Sequence, residues 1–248
     1  MNSARLHERQ LLRICGLAAV RALFERDPSR VERLFFDSNM SREVGRFCQN
    51  LARDRKPYRR ADTTELTRVA GTVLHGGIVA IARPQPMLDL VPEASREWAL
   101  NGKPILLLDG VGNPHNLGAI VRTAAFFGLE RIVLADRPDQ ALPSDASYRV
   151  AEGGFEHLSL YRESIPCALD ILRQHYRVVG TALGRASVPA AWSDDRPVAL
   201  VLGNEENGLD RATLAACGEL VTIPGSGHIQ SLNVAAAAAI LLYALTRS

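Results

Sequence analysis

Cysteine is scarce in this 248-residue chain, and lysine is scarcer still. The four cysteines, Cys15, Cys48, Cys167 and Cys217, are scattered and form no C-x-x-C pair. That spacing argues against zinc, gives a disulfide framework no support, and makes a reducing cytoplasm the expected compartment. The six histidines show no metal-ligand spacing, so no metal is expected. Long apolar runs are missing as well. The longest near the C-terminus, Val234 to Leu245, falls far short of the roughly 20 residues that span a bilayer. Met1 to Gln10 is polar and lacks the apolar core of a signal peptide. No G-x-S-x-G, Walker lysine or H-E-x-x-H occurs. There is no internal repeat and no low-complexity tract. The nearest approach is Ala235 to Ala239, which reads as plain helix propensity or as a close-packing face.

What the chain does have is arginine, unevenly placed. Residues 1–60 carry fourteen Arg and Lys against seven Asp and Glu. The whole chain is close to neutral, at +2. A basic end on a near-neutral chain points to an anionic polymer such as nucleic acid, or, more plainly, to a solvated helical surface. Almost half the residues are apolar, which is enough for a proper core.

Patterning suggests two domains. Residues 1–82 read as a small α/β domain. Its helices are expected over Cys15–Phe24, Ser41–Asp54 and Thr63–Ala70, and its strands over Val31–Phe36 and Gly76–Ala82. Pro84, Pro86 and Pro92 then mark a linker over residues 83–103, with a short helix from Glu93 to Leu100. Residues 104–248 alternate regularly. Strands are expected at Ile105–Asp109, Ile132–Ala135, Val178–Thr181, Val198–Gly203 and Leu220–Ile223. Helices are expected at Leu117–Phe127, Ala168–Tyr176, Leu209–Ala216 and Leu232–Thr246. Continuous apolar strands alternating with helices predict a parallel sheet covered on both faces.

Three loops carry the polar residues of interest. The first, Asp109 to Gly118, begins Gly110-x-Gly112 and tempts one toward a dinucleotide site, with Asp136 as its ribose acid. The third glycine of that fingerprint should stand at 115, which is His115, and Pro114 interrupts the loop. The fingerprint fails, and with it a nicotinamide oxidoreductase. Asn116 and Arg122 follow. On a helix starting near Leu117, Arg122 falls in the second turn, where its planar fork could reach a phosphate, or it is a surface arginine or a partner of Asp136 or Glu130. The second loop, Gly203 to Gly208, holds Glu205, either a ligand or loop-fixing acceptor or a helix-capping acid. The third runs from Ile223 to Asn233. Ser231 is a natural N-cap, and Asn233, in an otherwise apolar helix start, calls for a hydrogen-bond partner.

Three blocks together resemble a known family. They are Asn113-Pro114-His115-Asn116-Leu117-Gly118-Ala119-Ile120-Val121-Arg122, then Leu202-Gly203-Asn204-Glu205-Glu206-Asn207-Gly208-Leu209, then Ile223-Pro224 with Ser231-Leu232-Asn233-Val234-Ala235. In this order they are similar to motifs 1, 2 and 3 of the SpoU (TrmH-like) RNA 2′-O-ribose methyltransferases of the SPOUT superfamily. The resemblance covers about residues 104–248. Residues 1–82 look like the L30e-like RNA substrate-binding domain that many members carry.

The resemblance implies a parallel α/β sheet with a C-terminal trefoil knot, S-adenosyl-L-methionine as cofactor, a homodimer that uses the last helix, and a ribose 2′-OH in rRNA or tRNA as acceptor, with rRNA favoured. It assigns Gly203, Ile223, Leu232 and Asn233 to the cofactor. Arg122 matches the family's catalytic arginine. Asn116, Glu205, Ser231 and Asn233 match its other polar motif residues. Two stretches depart from the family pattern: Arg149 to His157, and Gly225-Ser226 after Ile223-Pro224. A non-catalytic RNA-binding protein on the same fold is the competing expectation.

Overall fold

The computed structural model describes residues 11–183 and 196–246. Met1–Gln10, including Arg5 and Arg9 of the basic block, lies outside the described residues. The chain divides into two compact units. One holds Met1–Pro86 and Pro143–His157, and the other holds Met87–Leu142 and Leu158–Ser248.

The first unit is a four-stranded mixed sheet with strands β1 (Leu12–Cys15), β2 (Val31–Phe36), β3 (Tyr58–Arg60) and β4 (Ile78–Ala82), in the order β1-β4-β2-β3. Strand β4 runs antiparallel to both neighbours, and β2 runs parallel to β3. Helices α1 (Leu17–Arg26), α2 (Gly45–Arg53) and α3 (Thr63–Ala70) complete it. Cys15, expected to open a helix, instead ends β1. Gly16, at φ 89°, turns the chain into α1, a conformation that glycine adopts without a steric penalty. Ser41, expected as the cap of α2, lies in a short 3-10 turn, and the helix starts four residues later. Asp62 caps α3, accepting from Glu65 N at 2.8 Å.

The segment Pro143–His157 carries α4 (Asp145–Ala151) and belongs to this unit. Arg30 holds it. Its guanidinium, almost fully buried, donates to Glu156 at 2.6 Å, to the Tyr148 hydroxyl at 3.1 Å and to the Arg83 carbonyl at 3.0 Å. A buried charge with this many partners is stable where an unpaired one would not be. Tyr148 stacks on Phe155 with ring centroids 4.4 Å apart. At Gly153 an added Cβ would come within 2.9 Å of the Ala22 side chain, so α1 lies directly on this glycine. Arg149–His157, the stretch that departs from the family pattern, is therefore packed against the first unit's helix.

The second unit is a seven-stranded sheet, and every pairing in it is parallel. Its strands are β5 (Met87–Asp89), β6 (Ile105–Asp109), β7 (Arg131–Ala135), β8 (Ser159–Glu163), β9 (Arg177–Thr181), β10 (Val198–Gly203) and β11 (Glu219–Val221). The order is β11-β9-β10-β6-β7-β8-β5. Strands β6 and β10 are buried along their whole length, as their unbroken apolar sequences require. The helices, in chain order, are α5 (Pro92–Leu100), α6 (Pro114–Phe126), α7 (Ile165–Leu172), α8 (Arg211–Ala216) and α9 (Val234–Thr246). Residues 83–103, read from their prolines as a linker, contain β5, which extends the sheet, and α5, whose Trp98 packs on Tyr161. Among the described residues no helix is long and apolar enough to cross a membrane, and no group of three or more His, Cys, Asp or Glu could hold a metal ion.

Candidate active site

Strand order in the large sheet reverses at β6. The chain proceeds from β6 to β7 and β8 on one side, while β10 and β9 lie on the other. The loops leaving the carboxyl ends of β6 and β10 open at this reversal, where α/β sheets place ligands. The first polar loop follows β6 and the second follows β10. The third, residues 222–233, leads from β11 to α9, which packs along α6 and β10.

Gly203 ends β10 fully buried, and the reason is local. A Cβ there would meet Gly208 C at 2.4 Å and Leu209 N at 2.5 Å, because the loop folds straight back onto the strand end. Asn204 and Gly208 exchange backbone hydrogen bonds of 2.9 and 3.0 Å. The Asn204 side chain fixes the turn by accepting from Glu206 N and Asn207 N, and its amide donates to the Gly110 carbonyl at 2.8 Å. One asparagine thus closes its own loop and ties it to the neighbouring one.

Glu205 is thereby held over the first loop. Its carboxylate accepts from the Asn116 side chain at 2.7 Å and from Gly112 N at 3.3 Å. Asn116 in turn accepts from the Asn233 amide at 3.1 Å, and the Asn233 carbonyl oxygen accepts from Ala235 N and Ala236 N at the start of α9. The orientation of both amides is fixed from its two ends. An ionised carboxylate only accepts and a helix N–H only donates, so each asparagine has one consistent setting. Glu205, Asn116 and Asn233, one from each motif, form a continuous relay.

The first loop is braced from below. Gln140, buried, accepts from Gly110 N and Val111 N at 3.0 and 3.2 Å and donates to Val111 O and Ala141 O, each at 3.1 Å. Asp109, also buried, accepts from Arg137 at 3.1 Å and from Asp210 N at 3.2 Å. Asp139 and Asp109, paired with Arg137, hold its guanidinium pKa above the usual value. Burial, with Asp109 adding its negative charge, pushes the Cys217 thiol up to about 11.

Of the eight residues singled out in the sequence, three are joined in the relay and five stand apart from it. Gly203 shapes the loop that carries Glu205. Ser231 is exposed and does not cap α9; the cap is Asn233, and the helix starts at Val234, not Leu232. Ile223 and Leu232 lie in the irregular third loop, and Leu232 is exposed. Arg122 is exposed on α6, but that helix starts at Pro114, capped by Asn113. Arg122 therefore sits in the third turn, roughly 12 Å along the axis from the helix start. Six residues beyond Asn116, it also faces away from the relay by about 120°. Among the described residues, 223–232 form no backbone–backbone hydrogen bond, and His228 N donates to Ser226 Oγ at 3.4 Å. Asn204 and Gln140 escaped the sequence reading. Asn204 lies in the second motif with nothing in its residue type to distinguish it, and Gln140 lies in no motif.

The fold and the relay define an α/β protein whose ligand loops converge at the sheet's topological switch point. The SpoU rRNA Methylase family model matches residues 103–243, and the RNA 2′-O ribose methyltransferase substrate binding model matches residues 13–88. The chain belongs to the SpoU rRNA methylase family. It is 35% identical over 244 residues to the 23S rRNA (guanosine-2′-O-)-methyltransferase RlmB of Acinetobacter baylyi, covering 94% of this chain and 95% of that protein. The protein of the same name from Nitrosomonas europaea is 32% identical over 238 residues, covering 93% and 89%. The AdoMet-bound rRNA methyltransferase of Sinorhizobium meliloti has the same fold, with a TM-score of 0.79 at 22% identity over 97% of this chain and 88% of that one.

Proposed function

We propose that the chain transfers a methyl group from S-adenosyl-L-methionine to a ribose 2′-hydroxyl of ribosomal RNA. The observation that carries this reading is the Glu205–Asn116–Asn233 relay, which unites all three motifs at the switch point. The names of the full-length relatives support ribosomal RNA as the acceptor.

The residues fit the cofactor through backbone groups rather than charges. Backbone groups between Ile223 and Leu232 that make no backbone hydrogen bond among the described residues would hold the cofactor, beside the closed loop that Gly203 allows. When bound, the cofactor supplies an electrophilic methyl on a sulfonium. Glu205, Asn116 and Asn233 hold the loops and the acceptor ribose in line for attack, where geometry alone is worth orders of magnitude in rate. Arg122 offers its planar guanidinium to an RNA phosphate and so positions the acceptor strand.

The same reading includes a C-terminal trefoil knot, a cytoplasmic location and a homodimer. Support for the dimer lies on α6 and α9. Phe126 is 83% exposed, and Ile240 and Tyr243 are exposed on α9. Arg122 precedes Phe126 by one turn on the same face of α6, so a dimer formed over Phe126 brings Arg122 into the interface.

The test offers methyl-labelled cofactor with ribosomal and transfer RNA from a strain lacking the gene. Label in 23S rRNA that blocks alkaline cleavage at the modified ribose is expected. Label confined to tRNA, or on a base, would overturn the assignment.

A further inference from the structure

The first unit carries an open cleft of about 620 Å³, lined by Leu11, Glu32, Arg33, Arg55, Lys56 and Pro57, with Arg83 at its rim. A second, of about 270 Å³, shares Arg33 and Pro57 and reaches Tyr58 and Arg59 on the edge strand β3. Most cations here are already engaged. Lys56 donates to the carbonyls of Ser29 and Val31 and pairs with Glu32. Arg83 pairs with Glu32 at 3.2 Å. Arg59 pairs with Glu65 and lies over the Phe35 ring at 5.3 Å.

Arg33 and Arg55 are different. Both are exposed, and neither makes a side-chain hydrogen bond or ion pair with any described residue. Arg55 is also one of only two non-glycine residues with positive φ among those described, at 55°. It follows the end of α2, with its amide bonded to the Ala52 carbonyl and the next amide to Leu51. Glycine is the residue that such a helix terminus favours, so an arginine there keeps a cationic side chain in a place where backbone preference opposes it. Tyr58, 42% exposed on a strand whose three residues are all exposed, lines the smaller cleft together with Arg33.

We propose that the two clefts, joined at Arg33 and Pro57, form a subsite for an unpaired RNA strand, with Arg33 and Arg55 on phosphates and Tyr58 stacking against a base. The chemistry selects RNA over an acidic protein. Two planar forks match phosphate oxygens, and an accessible ring accepts any base face, the combination that single-strand readers use. A duplex offers phosphates but no free base face, so Tyr58 favours the unpaired strand. The proposal rests on the reading of the chain as an RNA methyltransferase and locates part of its substrate recognition on this sheet edge.

The test uses the full chain and two probes, a mixed-sequence 12-nucleotide single-stranded RNA and a 12-base-pair RNA duplex. The variants are Arg33→Ala with Arg55→Ala, Tyr58→Ala and Tyr58→Phe. The double arginine variant is expected to bind the single strand with a log affinity–log salt slope shallower by about 1.4, from two lost phosphate contacts. Tyr58→Ala is expected to weaken single-strand binding by about 5- to 150-fold, and Tyr58→Phe to keep it. Cofactor affinity is expected to stay at the parent value in all three, which also reports that they fold. Unchanged affinity and slope in the variants would overturn the subsite, and so would equal binding of duplex and single strand by the parent. Intact RNA binding without any methyl transfer would instead count against the enzymatic reading and leave the subsite standing.

Discussion

Asn116 donates its side-chain amide to Glu205 at 2.7 Å across 89 residues of sequence. The bond joins the helix after β6 to the loop after β10, the two strands that meet at the switch point. A hydrogen bond to a charged acceptor contributes about 1.5–3 kcal/mol, so this contact fixes the relative position of two otherwise separate loops. Replacing Asn116 with Asp sets two carboxylates against each other at hydrogen-bond distance. N116D is expected to lose turnover by more than N116A, which we expect to lose about 100-fold from misplacement alone. Steady-state methyl transfer by the two variants checks the order. Equal losses would mean that the charge on Glu205 does not face Asn116 in solution.

Gly203→Ala places a Cβ 2.4 Å from Gly208 C, where only backbone could give way. Overpacking of this kind costs about 1–3 kcal/mol. Chemical denaturation is expected to show that loss, and calorimetry to show weakened binding of S-adenosyl-L-methionine. A variant with parental stability would mean that the loop does not close over the strand end.

Ser231 and Asn233 separate capping from relay. Ser231→Ala is expected to leave stability unchanged, because α9 is capped by Asn233. Asn233→Ala is expected to lose about 1 kcal/mol from the cap. It is also expected to lower kcat, since Asn116 is then held from one end only. If S231A destabilises the protein as much as N233A does, the assignment of the cap is wrong.

Glu156 gives the first unit a pH dependence of defined sign. Burial raises its carboxyl pKa, and the Arg30 guanidinium offsets this in part. A folded-state pKa above the unfolded one gives stability that is present below the unfolded value near 4.5 and is lost as pH rises through the raised value. Melting of the parent relative to Glu156→Gln is expected to fall as pH rises above 4.5. A relative stability that rises with pH would contradict the direction.

Much of this was legible in the sequence, and the gaps have physical causes. Ile105–Asp109 and Val198–Gly203 fall where the apolar runs end, because fully buried strands leave an unbroken signal. Short edge elements did not. β3 and β5 have three residues each and bury little, so pattern could not reveal them. The segment Pro143–His157 could not be assigned to the first unit from its position in the chain, because its attachment to Arg30 spans 126 residues. At the site, the residue types Asn116, Glu205 and Asn233 stood out from apolar surroundings. Their mutual bonding did not, since it depends on the order in which parallel strands align. The third-turn position of Arg122 was missed because Pro114, read as a loop breaker, opens the helix, where a proline is well tolerated.

The most direct test of the relay is a double-mutant cycle on kcat/KM for methyl transfer to ribosomal RNA, using Asn116→Ala, Glu205→Ala and the pair. If the two side chains act as one unit, the double variant loses no more than the worse single variant, and the coupling exceeds about 1.5 kcal/mol. Losses that simply add would show that Asn116 and Glu205 act independently and would contradict a site built on their contact.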